Sequence, residues 1–340
     1  LYLMFNPNEL TEIKQLLKTK KNILILTHYN PDGDAIGSSL GLHLFLSKLG
    51  IESTVLVPNE FPKFLKWLPG VKNIAISEYR VKFTEIAFKN ADLIFCLDFN
   101  TASRINHLEQ KLTASKATKI LIDHHMEPDS FSYTYSDTSQ PATCQMIYKF
   151  IEALGEDSKI DEDIAYCLYT GILTDTGSFR FRNTTAETHK IIGNLIEKGA
   201  LPDVVASQVL DSNTPERIKL LGTVLDSIQF IPEKNTAILS ISREQLQKFS
   251  YQKGDTEGFV NYGLSIMGIK FVAFFMEDLQ QDFIKISFRS KGNFDVNQFS
   301  RNYFSGGGHI NASGGKSDLS LEDTIQRFKT IVETEIHEVP

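Results

Sequence analysis

The sequence predicts an α/β protein: a doubly wound, mainly parallel sheet in the N-terminal part, and a smaller α/β domain across a cleft in the C-terminal part. Three observations carry this expectation. In the first half, short runs of branched and apolar residues alternate with helical stretches, the rhythm of parallel strands joined by crossover helices. The ends of those runs carry His28, Asp98 and the cluster Asp123-His124-His125, and such sheets bind ligands beyond the carboxyl ends of their strands. After a long helical stretch, the second half changes to a hairpin and a basic, glycine-rich segment. The implied organisation is a first domain over 1–200, a linker over 201–229, and a second domain over 230–340.

In chain order, a helix over 8–18 with Asn8 as its N-cap precedes a buried strand over 22–27. A loop follows that holds His28, Asp32 and Asp34, with Gly33 letting the backbone turn between the two acids. An amphipathic helix over 40–49 stops at Gly50. Residues 51–57 alternate as a strand, 58–70 are punctuated loop, 92–97 form a strand ending at Asp98, and 119–122 another ending at Asp123. Helices are expected over 141–154 and 161–173, the second leading into Asp175. Thr184 to Glu187 has the form of a capping box opening a helix to Lys198, and 202–229 reads as helical. A strand over 236–242, a hairpin of 269–277 with 282–289, and an amphipathic helix over 319–335 complete the chain.

Composition narrows the function classes. The 340 residues are 41% hydrophobic and 23% charged, as in ordinary globular proteins. No apolar run approaches the roughly 20 residues that span a bilayer, and the start shows no basic segment followed by a long apolar one, so no signal peptide or membrane partner is expected. Cys96, Cys144 and Cys167 form no CxxC pair and are odd in number, which reads as buried free thiols in a reducing cytoplasm. A net charge of −7 argues against broad electrostatic capture of long nucleic acid. A polyanionic substrate must then be met by local positive charge or by metal.

Six positions have the chemistry to hold two divalent ions: His28, Asp32, Asp34, Asp98, His124 and Asp175. Their four carboxylates balance the charge of two such cations. Mixed carboxylate and imidazole ligands without thiolate favour manganese or magnesium over structural zinc. Paired ions can activate water as hydroxide and clamp an in-line phosphoryl displacement, so the set points to phosphate ester hydrolysis. Each motif alone has an ordinary reading: Pro-Asp-Gly-Asp as a turn, His-His as surface, a glycine run as a loop. An EF-hand beginning at Asp32 fails because Ile36 and His43 stand where oxygen ligands are needed. His43, His107, His189 and His337 lie outside the motifs and read as surface or helix-face residues; Trp67 reads as packing, and Tyr303 and Phe304 are ambiguous between packing and base stacking.

Taken together, His-x-x-x-Asp-x-Asp at 28–34, Asp98, Asp123-His124-His125 and Asp175 resemble the four motifs of the DHH phosphoesterase family. Gly306-Gly307-Gly308-His309 with Ala312 and Gly314-Gly315 is similar to the glycine-rich motif of the associated DHHA1 domain. The resemblance covers roughly Lys21 to Gly315 and is greatest to the subgroup that degrades nanoRNA and dephosphorylates 3′-phosphoadenosine 5′-phosphate. It implies that His28, Asp32 and Asp98 bind one metal, and that Asp34, Asp98, His124 and Asp175 bind the other, with manganese first and magnesium as the alternative. It implies that His125 faces the scissile phosphate and that Asp123 orients an imidazole. It also implies that Arg289, Arg301 and His309, with Gly307 and Gly308, hold the far phosphate or base of a short RNA oligomer or phosphorylated nucleotide. Arg104 resembles a family arginine more loosely, and helix-surface charge explains it equally well. A homodimer is compatible with the subgroup. Alternatives are a cyclic or linear dinucleotide phosphodiesterase, an exopolyphosphatase, a manganese pyrophosphatase and, outside catalysis, a nucleotide sensor.

Overall fold

Six strands, β1 (Ile23–Leu26), β2 (Ser53–Val57), β3 (Ala75–Ile76), β4 (Leu93–Leu97), β5 (Thr118–Asp123) and β6 (Tyr133–Ser136), make an all-parallel sheet in the order β3-β2-β1-β4-β5-β6. This is a computed structural model that describes residues 4–279 and 281–336. His337 and part of the chain start weighed for a signal peptide therefore lie outside the described residues, as does Gln280, between the two stretches expected as a hairpin. The chain divides into two compact units, Leu1–Ser212 and Asn213–Pro340. Helices of the first unit are α1 (Pro7–Thr19), α2 (Gly33–Lys48), α3 (Val81–Asn90), α4 (Glu109–Ala114), α5 (Thr143–Ala153), α6 (Glu162–Asp175), α7 (Ala186–Glu197) and α8 (Pro202–Val209).

Central parallel strands are covered on both faces and so must be apolar throughout. β1 reads ILIL and β4 LIFCL, and every residue of both is buried. Ile23 and Ile25 pack with the apolar faces of α1, α2, α5 and α6, while Leu24 and Leu26 pack on the opposite side with Phe88, Phe99 and Ile105. Strand order reverses between the neighbours β1 and β4, which opens a crevice at their carboxyl ends. His28 and Asp98 stand in the first residues beyond those two strands.

The strands expected from sequence are present with ends within two residues, but several helix boundaries differ. The helix expected over 40–49 begins at Gly33, seven residues earlier, because Asp32 is its N-cap and accepts from the amides of Asp34 and Ala35, both at 3.1 Å. Gly33 is thus helical and not the pivot of a turn. It recurs with Gly37 and Gly41 at four-residue spacing on the face toward α6, where a Cβ on Gly33 would strike the Thr174 side chain and one on Gly37 would lie 2.5 Å from the Cys167 carbonyl oxygen. The helix expected over 8–18 starts at Pro7 and is capped by Asn6, whose side chain accepts from the Asn8 amide at 2.9 Å. The cap of α7 is Thr185, reciprocated by Thr188, so the capping box sits one residue beyond Thr184–Glu187. The stretch over 202–229 is broken into α8 and α9 (Pro215–Asp226), where Thr214 and Pro215 start a new helix that belongs to the second unit.

The second unit continues with α10 (Arg243–Lys248), α11 (Phe259–Leu264), α12 (Val296–Tyr303) and α13 (Leu321–Thr334). Its mixed sheet comprises β7 (Gln229–Ile231), β8 (Thr236–Ile241), β9 (Phe271–Glu277), β10 (Ile284–Ser290), β11 (Gly307–His309) and β12 (Ala312–Ser317), in the order β11-β12-β10-β9-β8-β7. Phe271, Phe275 and Phe288 alternate toward one face and meet Phe299, Phe304 and Phe328. Phe304 is 1% exposed and belongs to this core, which removes it as a stacking platform. Gly307 and Gly308 of the glycine run lie in β11 and Gly306 precedes it; a Cβ on Gly306 or Gly308 would collide with the backbone of β12. Trp67 packs edge-on against Tyr166 at 5.5 Å. Cys96, Cys144 and Cys167 are buried and unpaired. No helix among the described residues is long and apolar enough to cross a membrane.

The close approach of α2 and α6 yields a first prediction. Gly37→Ala must displace backbone, and destabilises the protein by about 1–3 kcal/mol. Gly193→Ala in α7, where a Cβ meets nothing within 4 Å, stabilises it by about 0.5–1 kcal/mol. Denaturant unfolding of the two variants beside the parent chain checks both signs.

Candidate metal centre

Each site residue is delivered by a strand end or a helix end. His28 follows β1, Asp98 follows β4, and His124 and His125 follow β5. Asp32 and Asp34 start α2, and Asp175 is the last residue of α6. Asp98 has φ +62°, a left-handed conformation costly for a non-glycine residue, at the point where the chain turns out of β4.

Asp98 divides its carboxylate. Its Oδ2 lies 3.4 Å from His28 Nε2, and its Oδ1 lies 3.4 Å from His124 Nε2. On the first side, Asp32 Oδ2 is 3.8 Å from His28 Nε2. On the second, His124 Nε2 is 3.7 Å from Asp34 Oδ2 and 3.3 Å from Asp175 Oδ2. Among the groups of potential ligand atoms that converge are His28-Asp32-Asp98 and Asp34-Asp98-His124, with Asp175 meeting the second through His124.

The orientation of each donor has a separate cause. His28 Nδ1–H donates to the Tyr29 carbonyl at 2.9 Å and His124 Nδ1–H to the Gln140 carbonyl at 3.2 Å, which turns both Nε2 atoms inward. Asp32 gives Oδ1 to the cap of α2 and keeps Oδ2 toward His28. Asp34 is fully buried, and its two oxygens accept from the first amides of α5, Thr143 N–H at 2.6 Å and Cys144 N–H at 2.8 Å; a helix N-terminus favours negative charge there. The Thr143 hydroxyl donates to Asp98 Oδ1 at 3.0 Å. Asp123 accepts from His125 twice, from Nδ1–H at 2.7 Å and the backbone N–H at 3.0 Å. It therefore orients His125, and the two inward imidazoles rely on carbonyls instead. Arg104 contributes its carbonyl, which accepts the Tyr29 amide at 2.8 Å.

Thr143, Gln140 and the α5 amides are absent from the sequence reading. Thr143-Cys144 following Pro141-Ala142 was the one available signal, a helix start placed after the third motif. His43 and His107 bond Ser53 and Ser77, and His189 lies against Phe179; none joins the site.

The electrostatics fit a cation centre. Burial disfavours the His28 imidazolium, yet Asp32 and Asp98 outweigh it and raise His28 to about 10. His124 is also raised, against burial, by Asp98, Asp175 and Asp34. Burial and the Asp98 charge push Asp34 up to about 8, and burial with Asp34 raises Asp175. Asp98 stays well below the carboxylate range because His124 and His28 overcome its burial. Without cations, protons neutralise this crowd of carboxylates. Oxygen and imidazole donors with no thiolate suit a hard or borderline divalent ion.

In the second unit, β10 and β12 pair Arg289 with Ala312, and β11 and β12 pair His309 with Ala312. Cross-strand partners share a face, so Arg289 and His309 flank one methyl group. Arg301 Nε–H and the Gly308 N–H both donate to Asn297 Oδ1, at 3.2 and 2.9 Å. A Cβ on Gly307 would lie 3.8 Å from Arg301 Nε.

Comparison with known proteins agrees with both units. Residues 22–172 match the DHH family, N-terminal domain, and residues 233–338 match the DHHA1 domain. The bifunctional oligoribonuclease and PAP phosphatase NrnA of Thermus thermophilus is 31% identical over 327 residues, covering 95% of this chain and 93% of that protein. The chain belongs to the DHH phosphoesterase family. As a DHH phosphoesterase it is a hydrolase acting on phosphate ester bonds. The Bacillus subtilis protein of the same description is 29% identical, covering 89% of this chain and 92% of that one. A solved exopolyphosphatase-related protein from Bacteroides fragilis superposes with a TM-score of 0.93 at 38% identity, covering 98% of each chain.

Two predictions follow from the geometry. Thr143→Val removes the donor to Asp98 at nearly constant volume and weakens Mn²⁺ binding about tenfold, whereas Thr143→Ser retains it; titration followed by electron paramagnetic resonance measures both. Raised values for His28 and Asp34 mean that each carries a proton at neutral pH which a cation must displace. Mn²⁺ affinity therefore rises from about pH 6 to about pH 9, with net proton release in calorimetry across buffers of different ionisation enthalpy.

Proposed function

We propose that this DHH phosphoesterase hydrolyses short oligoribonucleotides to mononucleotides and 3′-phosphoadenosine 5′-phosphate to AMP and phosphate, with two divalent cations, manganese before magnesium. The observation that carries the reading is the division of Asp98, one oxygen toward His28 and Asp32, the other toward His124, Asp34 and Asp175. On this reading His28, Asp32 and Asp98 hold one cation, and Asp34, Asp98, His124 and Asp175 hold the other. When bound, the pair supplies Lewis acidity, polarising a phosphoryl oxygen and acidifying water.

The chain's own residues supply orientation and proton handling. Thr143 and the α5 amides keep Asp98 and Asp34 in place as charge develops on the phosphate. His125 is fixed by Asp123 through Nδ1, which turns Nε2 away from Asp123. An imidazole so held binds the scissile phosphate or passes a proton to the leaving oxygen. Arg289, Arg301 and His309, beside Gly307 and Gly308, offer donors and positive charge to the far phosphate or the base. The two relatives described as oligoribonuclease and PAP phosphatase support this choice among phosphate esters. The net charge of −7 suits short substrates, since a long strand would meet mostly repulsion.

Asp98→Ala is expected to lower manganese-dependent release of AMP from a short oligoadenylate by more than about a hundredfold. Unaltered turnover in that variant sinks the two-cation reading. Full metal occupancy with no hydrolysis by the parent chain favours a nucleotide sensor instead.

A further inference from the structure

Asn297 lies one turn before Arg301 on α12, and it is 7% exposed. Its Oδ1 accepts from two groups that are obligatory donors, Arg301 Nε–H and the Gly308 amide. Their convergence fixes the carboxamide, because a nitrogen at that position would face two N–H groups. The amide nitrogen must then point the other way. Gly308 lies in β11, which among the described residues is an edge strand with β12 as its neighbour. Among the described residues, no group accepts from Asn297 Nδ2, and this nitrogen is not among the sealed polar atoms of the protein. A nine-tenths buried side chain therefore turns two N–H donors outward beside an arginine and a glycine position with room around it.

We propose that Asn297 is a substrate-binding residue that also positions its neighbours: Oδ1 holds Arg301 and the glycine strand in place, while Nδ2 donates to an acceptor on a nucleotide, a phosphate oxygen or a base carbonyl or ring nitrogen. The inference rests on the reading that short nucleotides are the substrates. A purely structural asparagine would need only its oxygen. Nucleotide recognition needs the nitrogen as well, and that difference can be measured.

Asn297→Asp separates the two roles. It keeps an acceptor for Arg301 and Gly308, but replaces the outward donor with an oxygen that repels phosphate. Calorimetry with AMP in the presence of Mg²⁺ is expected to show binding weakened about tenfold or more, with the thermal midpoint retained. Parent-like AMP affinity in Asn297→Asp overturns the proposal. Should that variant fail to fold, the parent chain labelled with ¹⁵N-asparagine decides the matter, its Asn297 carboxamide signals being identified by their proximity to the Gly308 amide. Those signals shift on addition of millimolar AMP if Nδ2 meets the nucleotide, and signals that do not move overturn it. Turnover of a short oligoadenylate by the parent chain is scored separately, so loss of the substrate reading is distinguishable from loss of the Asn297 contact.

Discussion

Four carboxylates gathered in one pocket, two of them almost completely buried, cannot all remain ionised unless positive charge stands among them. Much of the first unit follows from that constraint. Asp98 is central because it serves both histidines at once, which requires a residue at the switch point between β1 and β4 held in a left-handed turn. Asp34 can approach only because α2 lies close against α6, and Gly33, Gly37 and Gly41 make that approach sterically possible. The start of α5 then brings two amides and a hydroxyl to the carboxylates. Glycine spacing, helix contact and ligand convergence are one arrangement seen at three scales.

Much of this was legible because it is local. Apolar runs such as ILIL and LIFCL declare buried strands, and acids or histidines immediately after them fall at the carboxyl edge of any parallel sheet. Helix starts were less legible. Asp32 looks like a turn residue because Pro and Gly surround it, but it uses one oxygen to cap α2 and the other to face His28. Side-chain capping of that kind competes with turn chemistry for the same residue types, and neighbouring sequence alone does not say which prevails. β6 (YTYS), β11 and β12 (ASGGKS) escaped for another reason: no apolar run marks them, and they exist because neighbouring strands pair with them.

The candidate ligands were likewise readable as residue types, whereas their division between two cations came only through the family resemblance, and the groups that orient them were not readable. Asp123 illustrates the difference. Its place beside two histidines allows it to serve either, and only the short contact to Nδ1 assigns it to His125. Thr143 and Asn297 were invisible for a related reason. Neither is charged, and each matters through what it holds: Thr143 through Asp98, across forty-five positions of sequence, and Asn297 through Arg301 and an edge amide. Groups that act through others leave little trace in residue type or spacing.

The division of chemistry also bears on how substrate choice arises. Carboxylates and imidazoles around cations respond to a phosphate, and every candidate substrate of this chemistry has one. Such a centre discriminates poorly between a dinucleotide, a bisphosphorylated nucleoside and a chain of phosphates. Discrimination needs directional donors set for a base or a second phosphate, because leaving such donors unpaired penalises the wrong ligand. The second unit offers that kind of surface: Arg289 and His309 on either side of Ala312, and Arg301 pinned by Asn297 at a sheet edge. The flatness of the glycine run is part of the same logic. Gly306 and Gly308 are required by the close approach of the β12 backbone, while Gly307 in the same run has room beside Arg301, so a side chain there would change access to the donors without disturbing the sheet. On the proposed function, specificity resides in a few rigidly held groups outside the carboxylate cluster, and can vary while the carboxylate arrangement stays the same.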